Sequence, residues 1–447
     1  MAKAKTLYAN AQPEKRLFIS LITRDISLGA AVLDLIDNSI NSAAEAAKLD
    51  LSSPAAFVKL LDRPPTPSLP KIVIAFDATS FEIHDNCGGI TTQQAQQRVF
   101  AFGRPASAGK PTHDTLSVYG IGLKRALFKL GNNVEIMSAH KRGGFNLKLD
   151  VEKWGKLRQA RWRFPITARK TPLPGGVGYG TTIKVTNLYP DISDRLADSN
   201  FEGDLITRIS RTYNYFINRL ITVEVNGKEV PGSPLQLGSN FEENTFDVGE
   251  VGCSVLAGIE KNETDKFHRD ERAGWYIFCN GRAVASAEKS VLTGWGDLLP
   301  IYQPKHRPFV GIVFFAAADL EQLPWTTTKS SINEESKVWQ HALRIMASTA
   351  KPVLNTLDKR YKKDGTEITT EELREVAGSS ISALSAIAGG RSKFLAPKPK
   401  RTTTSIQFTV KISEVSEVKE YLGDRYISNS EIGRTTFVHY LDNVVRA

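Results

Sequence analysis

Four side chains near the start of the sequence are of the types that hold a metal ion and a water. Asp34, Asp37, Asn38 and Asn41, within LDLIDNSINSA (33–43), are spaced i, i+3, i+4 and i+7, which on an α-helix makes one polar stripe. Val32, Leu33, Leu35, Ile36, Ile40 and Ala43 cover most of the remaining circumference, so a buried helix with one polar edge is expected. A solvated face usually carries Lys, Glu or Arg, and none stands between Asp34 and Ala44. Short acids and amides suit a cation and an ordered water; an amphipathic helix with its wet side outward is the alternative. Three more clusters follow. HDNCGGI (84–90) places Asp85 beside glycines, where a carboxylate accepts a hydrogen bond from an exocyclic amine and Gly89 lets a flat base approach the backbone; a plain Asx turn has the same pattern. YGIGLKRA (119–126) puts Gly120 and Gly122 at a helix start, where backbone N–H groups and the helix dipole hold phosphates, with the charge of Lys124 in reach. A simple glycine turn would look alike. GTTIKV (180–185) opens a strand and carries Thr181.

The elements that must position these groups alternate between β and α patterns. KIVIAF (71–76) and FEIH (81–84) are strand-like, after a Pro- and Ser-bearing connection at 48–70. A helix from about Thr91 to Ala101 leads into a Gly-, Pro-, Ser- and Thr-rich stretch (102–122), expected to be a mobile loop. Helix LKRALFKLG, strands around 133–149 and 159–165, and GTTIKVTNL (180–188) complete an α/β layer. A helix at 203–218 opens a second α/β region, with an NGKE turn at 226–229, strands GWYIFCNG and FVGIVFFA, and one long helix at 334–361. GGRSKFLAPKPKRTTT (389–404) reads as a basic linker.

The order and spacing of the four clusters resemble the Bergerat nucleotide-binding fold of the gyrase, heat-shock chaperone, histidine kinase and MutL superfamily, the GHKL ATPases. The resemblance covers roughly residues 17–350. It implies an α/β class with a Bergerat α/β sandwich for ATP at 1–200, an α/β transducer domain at 201–362, a linker at 363–404 and a small strand-helix-helix tail at 405–447. By the same resemblance Asn38 binds Mg²⁺, Asp85 the adenine amine, Gly120 and Gly122 the phosphates, and Thr181 the adenine through water. PWTTTKSSI (324–332) looks like the transducer loop that sends a lysine to the γ-phosphate, which assigns that role to Lys329. YGIGLK, GWYIFCNGR and GWGDLLP look most like the MORC-type branch. The implied function is an ATP-dependent dimer that closes on DNA or a protein partner; the alternative is a nucleotide-gated sensor or scaffold with negligible hydrolysis. A histidine kinase is disfavoured, because no phospho-accepting His lies on a dimerising helix before the nucleotide domain.

The departures carry chemistry too. Where the family has its general base, a Glu four residues before the metal-binding Asn, this chain has Asp34. A side chain one methylene shorter misplaces the carboxylate by about 1 Å, which can cost on the order of a hundredfold in rate. Slow hydrolysis follows. Cys87 stands for the first glycine of the adenine motif and is expected to be a small packed side chain; Asn41 stands for a common Asp.

In the tail, IQFTVKI (406–412) alternates strictly, with Ile406, Phe408, Val410 and Ile412 on one face and Gln407, Thr409 and Lys411 on the other. Two short helices are expected after it, the second capped by Ser428 or Ser430. Strand-helix-helix in so few residues resembles the ribbon-helix-helix fold of Arc- and MetJ-type repressors. That implies a two-chain β-ribbon in the major groove, with Gln407, Thr409 and Lys411 facing DNA; a module that only dimerises or docks a partner, and a different small fold, are the alternatives.

Composition is compatible with all of this. The 447 residues, 41% hydrophobic and 24% charged, suffice for two or three domains. No apolar run reaches membrane-spanning length, and the opening MAKAKTLYANAQPEKR has no signal-peptide pattern, so no membrane role and a cytoplasmic location are expected. Cys87, Cys253 and Cys279 form no CxxC and the seven His are scattered, which argues against disulfide frameworks and zinc. The formal charge of +10 favours a polyanionic partner, nucleotide or nucleic acid.

Overall fold

The structure is a computed structural model that describes residues 9, 13–52, 60, 68–103, 116, 120–157, 162–174, 178–232, 235–261, 270–359, 368–382, 386–387, 392–397 and 406–446. Two compact units result: 1–362 with 367–398, and 363–366 with 399–447. Much of the expected loop at 102–122 and of the connection at 48–70 lies outside the described residues, as do Lys398, Lys400 and Arg401.

The first unit starts with helices α1 (Lys15–Arg24) and α2 (Leu28–Ala46), the second capped by the Ser27 hydroxyl, which accepts from the Ala30 amide at 3.2 Å. Strands β1 (Lys71–Phe76) and β2 (Ser80–Asp85) precede a short helical stretch, Thr92–Gln94, that continues as a π-turn over Ala95–Val99. Then come α3 (Gly122–Leu130), β3 (Gly131–Ala139), β4 (Gly144–Asp150), α4 (Val151–Lys156), β5 (Ile166–Arg169) and β6 (Gly180–Leu188). After α5 (Pro190–Ala197) and α6 (Phe201–Thr212), β7 (Thr222–Val225) and β8 (Lys228–Glu229) form a hairpin through Asn226 and Gly227, both at positive φ, the geometry of the expected NGKE turn.

Among the described residues, eight strands make one sheet in the order β5-β4-β3-β6-β2-β1-β7-β8. The sheet thus runs to Glu229, past the expected division at residue 200, because β7 pairs in parallel with β1. The strand expected at 159–165 falls later: residues 162–165 are irregular and pairing with β4 begins at Ile166. Register matters most at β2 and β6, where Asp85 stands directly across from Thr181, and at β3 and β6, where Thr181 faces Ser138. Val32, Ile36 and Ile40 of α2 pack into the same core as Ile72, Ile74, Ile83 and Val185 of the sheet. Full burial of a side chain such as Ile36 is worth about 1.5–3 kcal/mol, enough to hold the helix and its polar edge in place.

A second sheet, in the order β10 (Phe241–Val248), β11 (Val251–Ile259), β14 (Phe309–Ala316), β12 (Gly274–Cys279), β13 (Arg282–Glu288), packs against the long helix α7 (Lys337–Asp358) through Trp339, Ala342, Met346 and Val353. Within the expected linker at 363–404, the described residues 368–382 hold a helix and a strand instead. Helix α8 (Thr370–Ala377) is followed by β15 (Ser380–Ser382), which pairs with β9 (Gln236–Gly238). Glu242 then accepts from Lys393 Nζ at 2.6 Å and from the Phe394 amide at 2.8 Å, and Phe394 is buried in the second core.

In the second unit, α9 (Ile412–Tyr421) and α10 (Asn429–Tyr440) are present, and Ser428 caps α10 by accepting from the Glu431 amide. The expected strand at 406–412 does not form within this chain. Residues 406–411 are irregular and Ile412 joins α9, because a strand needs a partner edge for its N–H and C=O groups. Gln407, Thr409 and Lys411 are exposed, and so are Ile406, Phe408 and Val410. No helix among the described residues is long and apolar enough to cross a membrane.

Candidate nucleotide site

A cavity of about 430 Å³ lies over the polar edge of α2. It is lined by Asp34 and Asn38 of α2, Asp85 at the end of β2 and Gly89 after it, Gly120 and Gly122 at the head of α3, Thr181 of β6, and Lys329. That volume is within the range of small-molecule pockets. Ile83, Ile90, Ile136 and Phe145 give one end an apolar lining suited to a flat base.

At that end Asp85 is buried. Its Oδ2 accepts from the Ser39 hydroxyl at 2.8 Å and its Oδ1 from the Cys87 amide at 2.9 Å. Burial raises the Asp85 pKa, with these hydrogen bonds acting against the rise. The Thr181 hydroxyl lies 2.9 Å from that of Ser138, which accepts from the Ile90 amide. Gly89 has φ +73°, and a Cβ there would stand 1.9 Å from the Ala139 carbonyl oxygen, so no larger residue fits. Cys87 is 2% exposed and burial pushes its thiol pKa far up, as suits a packed side chain.

At the other end Gly122 brings α3 down onto Asp34; a Cβ on it would lie 3.2 Å from the Asp34 Cγ. Arg125, one turn further on, donates to Asp34 Oδ2 from Nη2 at 2.5 Å and from Nε at 3.1 Å. Asp34 Oδ1 is buried without a hydrogen-bond partner among the described residues, and stands 3.6 Å from Lys329 Nζ. Asn38, whose Nδ2 donates to the Asp34 carbonyl at 2.9 Å, brings a carboxamide oxygen to the cavity lining. One neutral oxygen fits Mg²⁺, which keeps waters and takes phosphate oxygens as ligands. No group of three or more acidic, His or Cys side chains able to hold a metal occurs among the described residues.

Asp37 leaves the stripe. It does not line the cavity but is fully buried, where Tyr213 OH and Arg282 Nε donate to Oδ1 at 2.6 and 3.0 Å and Lys329 Nζ donates to Oδ2 at 2.6 Å. Burial alone would raise its pKa; Arg282 and Lys329 outweigh it and hold the carboxyl below its ordinary value. Arg282 Nη1 also donates to the Lys329 carbonyl at 2.6 Å, pinning a residue that sits at φ +52°. The ammonium of Lys329 is therefore shared between two carboxylates at the edge of the cavity.

Lys124 differs from its expected place. Its Nζ donates to the carbonyls of Val99 and Ala101 at 2.8 and 2.6 Å, so it fastens the chain before the glycine-rich loop and does not line the cavity. Burial pushes its pKa down to about 7. Arg125, Tyr213 and Arg282 were missed by sequence reasoning. Arg282 ends the GWYIFCNGR segment, but nothing local ties it to Asp37, 245 residues away.

Residues 26–170 match the family described as histidine kinase-, DNA gyrase B-, and HSP90-like ATPase. The matched span holds Asp34, Asn38, Asp85, Gly89, Gly120 and Gly122, and stops before Thr181 and Lys329. No curated protein matches the chain. The chain thus carries a GHKL-type ATPase domain, a type that binds ATP, usually with Mg²⁺, in a mixed α/β architecture continued by a further α/β region.

Proposed function

We propose that the protein is a Mg²⁺-dependent ATP-binding switch with slow hydrolysis, whose nucleotide state closes a homodimer on DNA or a protein partner. The observation that carries this reading is the convergence of Asp34, Asn38, Asp85, Gly89, Gly120, Gly122, Thr181 and Lys329 on one cavity, from segments nearly 300 residues apart. In this reading Asp85 accepts from the adenine amine, Thr181 assists through water, and Gly120 and Gly122 offer backbone amides to the phosphates. Asn38 takes the metal ion. Lys329 leaves Asp37 and Asp34 for the γ-phosphate, and because Arg282 holds its backbone, that exchange is transmitted to the second sheet. The branch is the MORC type. The tail is a ribbon-helix-helix module, supported by the exposed alternating stretch at 406–411 and the two helices after it, with Gln407, Thr409 and Lys411 toward DNA.

One observation favours a second reading, a nucleotide-gated sensor without turnover: an oxygen of Asp34 is already engaged by Arg125, leaving only Oδ1 to orient a water. Steady-state phosphate release with and without DNA separates the two. Slow release that Asp34→Ala abolishes and Asp34→Glu raises supports the ATPase. Release from Asp34→Ala equal to the parent's refutes Asp34 as the base, and no release from the parent leaves the sensor.

A further inference from the structure

Thr328 and Lys329 line two cavities, the nucleotide cavity and a second one of about 330 Å³ bounded by α6, β13 and the segment around Lys329. The second cavity is basic, and although Arg282 and Lys329 are paired with Asp37 behind it, two further arginines at its wall are not. Arg208 and Arg211 of α6 and Arg282 of β13 line it together with Lys329, against the single carboxylate of Asp204, which is 3.7 Å from Arg195. The i, i+3 spacing of Arg208 and Arg211 puts both on one face of the helix. Among the described residues neither forms an ion pair, and the hydrogen bond of Arg208 is a long one, 3.5 Å, to the Ser27 hydroxyl. Arg208 is nevertheless half-buried beside a like charge: burial first, then Arg282, pushes its pKa down. Arg282 has its counter-charge in Asp37, whereas Arg208 has none among the described residues; desolvating a guanidinium in that state is unfavourable, and an oxyanion beside Arg208 offsets the cost. Hydroxyls of Thr207, Ser286 and Ser330 add further donors at the rim.

We propose that this cavity is a second ligand site, for an oxyanion of the phosphate class, with Arg208 and Arg211 as its clamp. A planar guanidinium binds two phosphate oxygens at once, which suits arginines here better than lysines. The ligand is a free phosphate ion or the phosphate of a nucleotide. Binding itself does not depend on the ATP reading. Its consequence does: an anion against Thr328 and Lys329 biases the same segment whose lysine meets the nucleotide, so the two sites are coupled.

Calorimetric titration of the full chain with inorganic phosphate, and separately with uridine monophosphate, tests this. The parent is expected to bind at least one of them. The Arg208→Gln/Arg211→Gln variant should bind about a hundredfold more weakly or worse, since it loses two charge-assisted hydrogen bonds. Arg208→Lys keeps the charge and loses the fork, so an intermediate affinity is expected, and it serves where the double variant unfolds by circular dichroism. Binding of phosphate alone identifies the free ion as the source, and binding of the monophosphate alone identifies a nucleotide. Equal affinity in parent and variants, or no binding of either probe to the parent, overturns the proposal. Failure of the ATP reading shows separately, as absent ATP binding in every protein, and leaves the phosphate titration readable.

Discussion

Replacing Asp37 by Asn should destabilise the protein more than removing the lysine it binds. Asp37 is fully buried between Arg282, Lys329 and Tyr213, with contacts of 2.6–3.0 Å. At an effective dielectric of about 20, each cation contributes about 6 kcal/mol of Coulomb attraction, mostly offset by the desolvation of three charges. Asparagine can still accept at one atom, but its amide NH₂ would face an ammonium or a guanidinium, donor against donor. Two buried cations are then left with only Asp34 Oδ1, 3.6 Å from Lys329, as compensation. Breaking a buried pair in this way costs about 3–5 kcal/mol. Lys329→Met leaves Asp37 its bonds to Arg282 and Tyr213 and should cost only about 1–3 kcal/mol. In the double variant the costs should add to less than their sum, because the lysine stranded by Asp37→Asn is gone. Urea denaturation followed by fluorescence measures all three. A change within about 0.5 kcal/mol for Asp37→Asn, or a larger loss for Lys329→Met than for Asp37→Asn, refutes the argument.

The raised pKa of Asp85 fixes the sign of a pH dependence. As pH falls through that pKa the carboxylate takes a proton and loses its charge, so ATP affinity should fall, by up to about tenfold per unit below it, and level off above it. The same group should act oppositely on stability: its contribution is fully present below the unfolded value and is lost as pH rises through the folded one. Affinity flat across the acidic range contradicts the assignment. For the tail, deleting residues 405–447 should weaken self-association measured by light scattering. Gln407→Ala/Thr409→Ala/Lys411→Ala should spare the dimer while weakening DNA binding in fluorescence anisotropy, with only a modest change of salt slope because one charge is removed. A monomeric parent, or unchanged DNA binding in the triple variant, defeats the tail reading.

What the sequence reveals and conceals follows from the range of each signal. Strands β1, β6 and β14 stand where their apolar runs place them, since alternation or continuous burial is local information. Of the residues expected at the cavity Lys124 does not line it, and Arg125, which does, is not among them; the spacing of Lys124 beside the glycines says nothing of two carbonyls that come within reach only when Val99 and Ala101 fold back. Asp37 shares the helical spacing of the stripe, yet a helix turns about 100° per residue, and neighbours three apart need not open on the same cavity. The partners that claim it, Tyr213 and Arg282, lie 176 and 245 residues on, beyond any local pattern. Residues 368–397 read as a linker because their segments are short and their anchors, β9 and Glu242, are more than a hundred residues away. At 406–411 the alternation describes a surface fit for pairing, and a pattern cannot supply the second edge.

The most direct test of the central claim is calorimetric titration of ATP with Mg²⁺ into the parent and into Asp85→Asn. The carboxylate is buried at the apolar end of the cavity and accepts from Ser39 and Cys87, so it is positioned for one further donor. An adenine amine bound there makes a charge-assisted hydrogen bond worth about 1.5–3 kcal/mol, and the carboxamide replaces it with a weaker acceptor and a competing NH₂. The account predicts saturable binding by the parent and affinity at least about tenfold lower in Asp85→Asn. No binding by the parent, or the same affinity in both proteins, contradicts it.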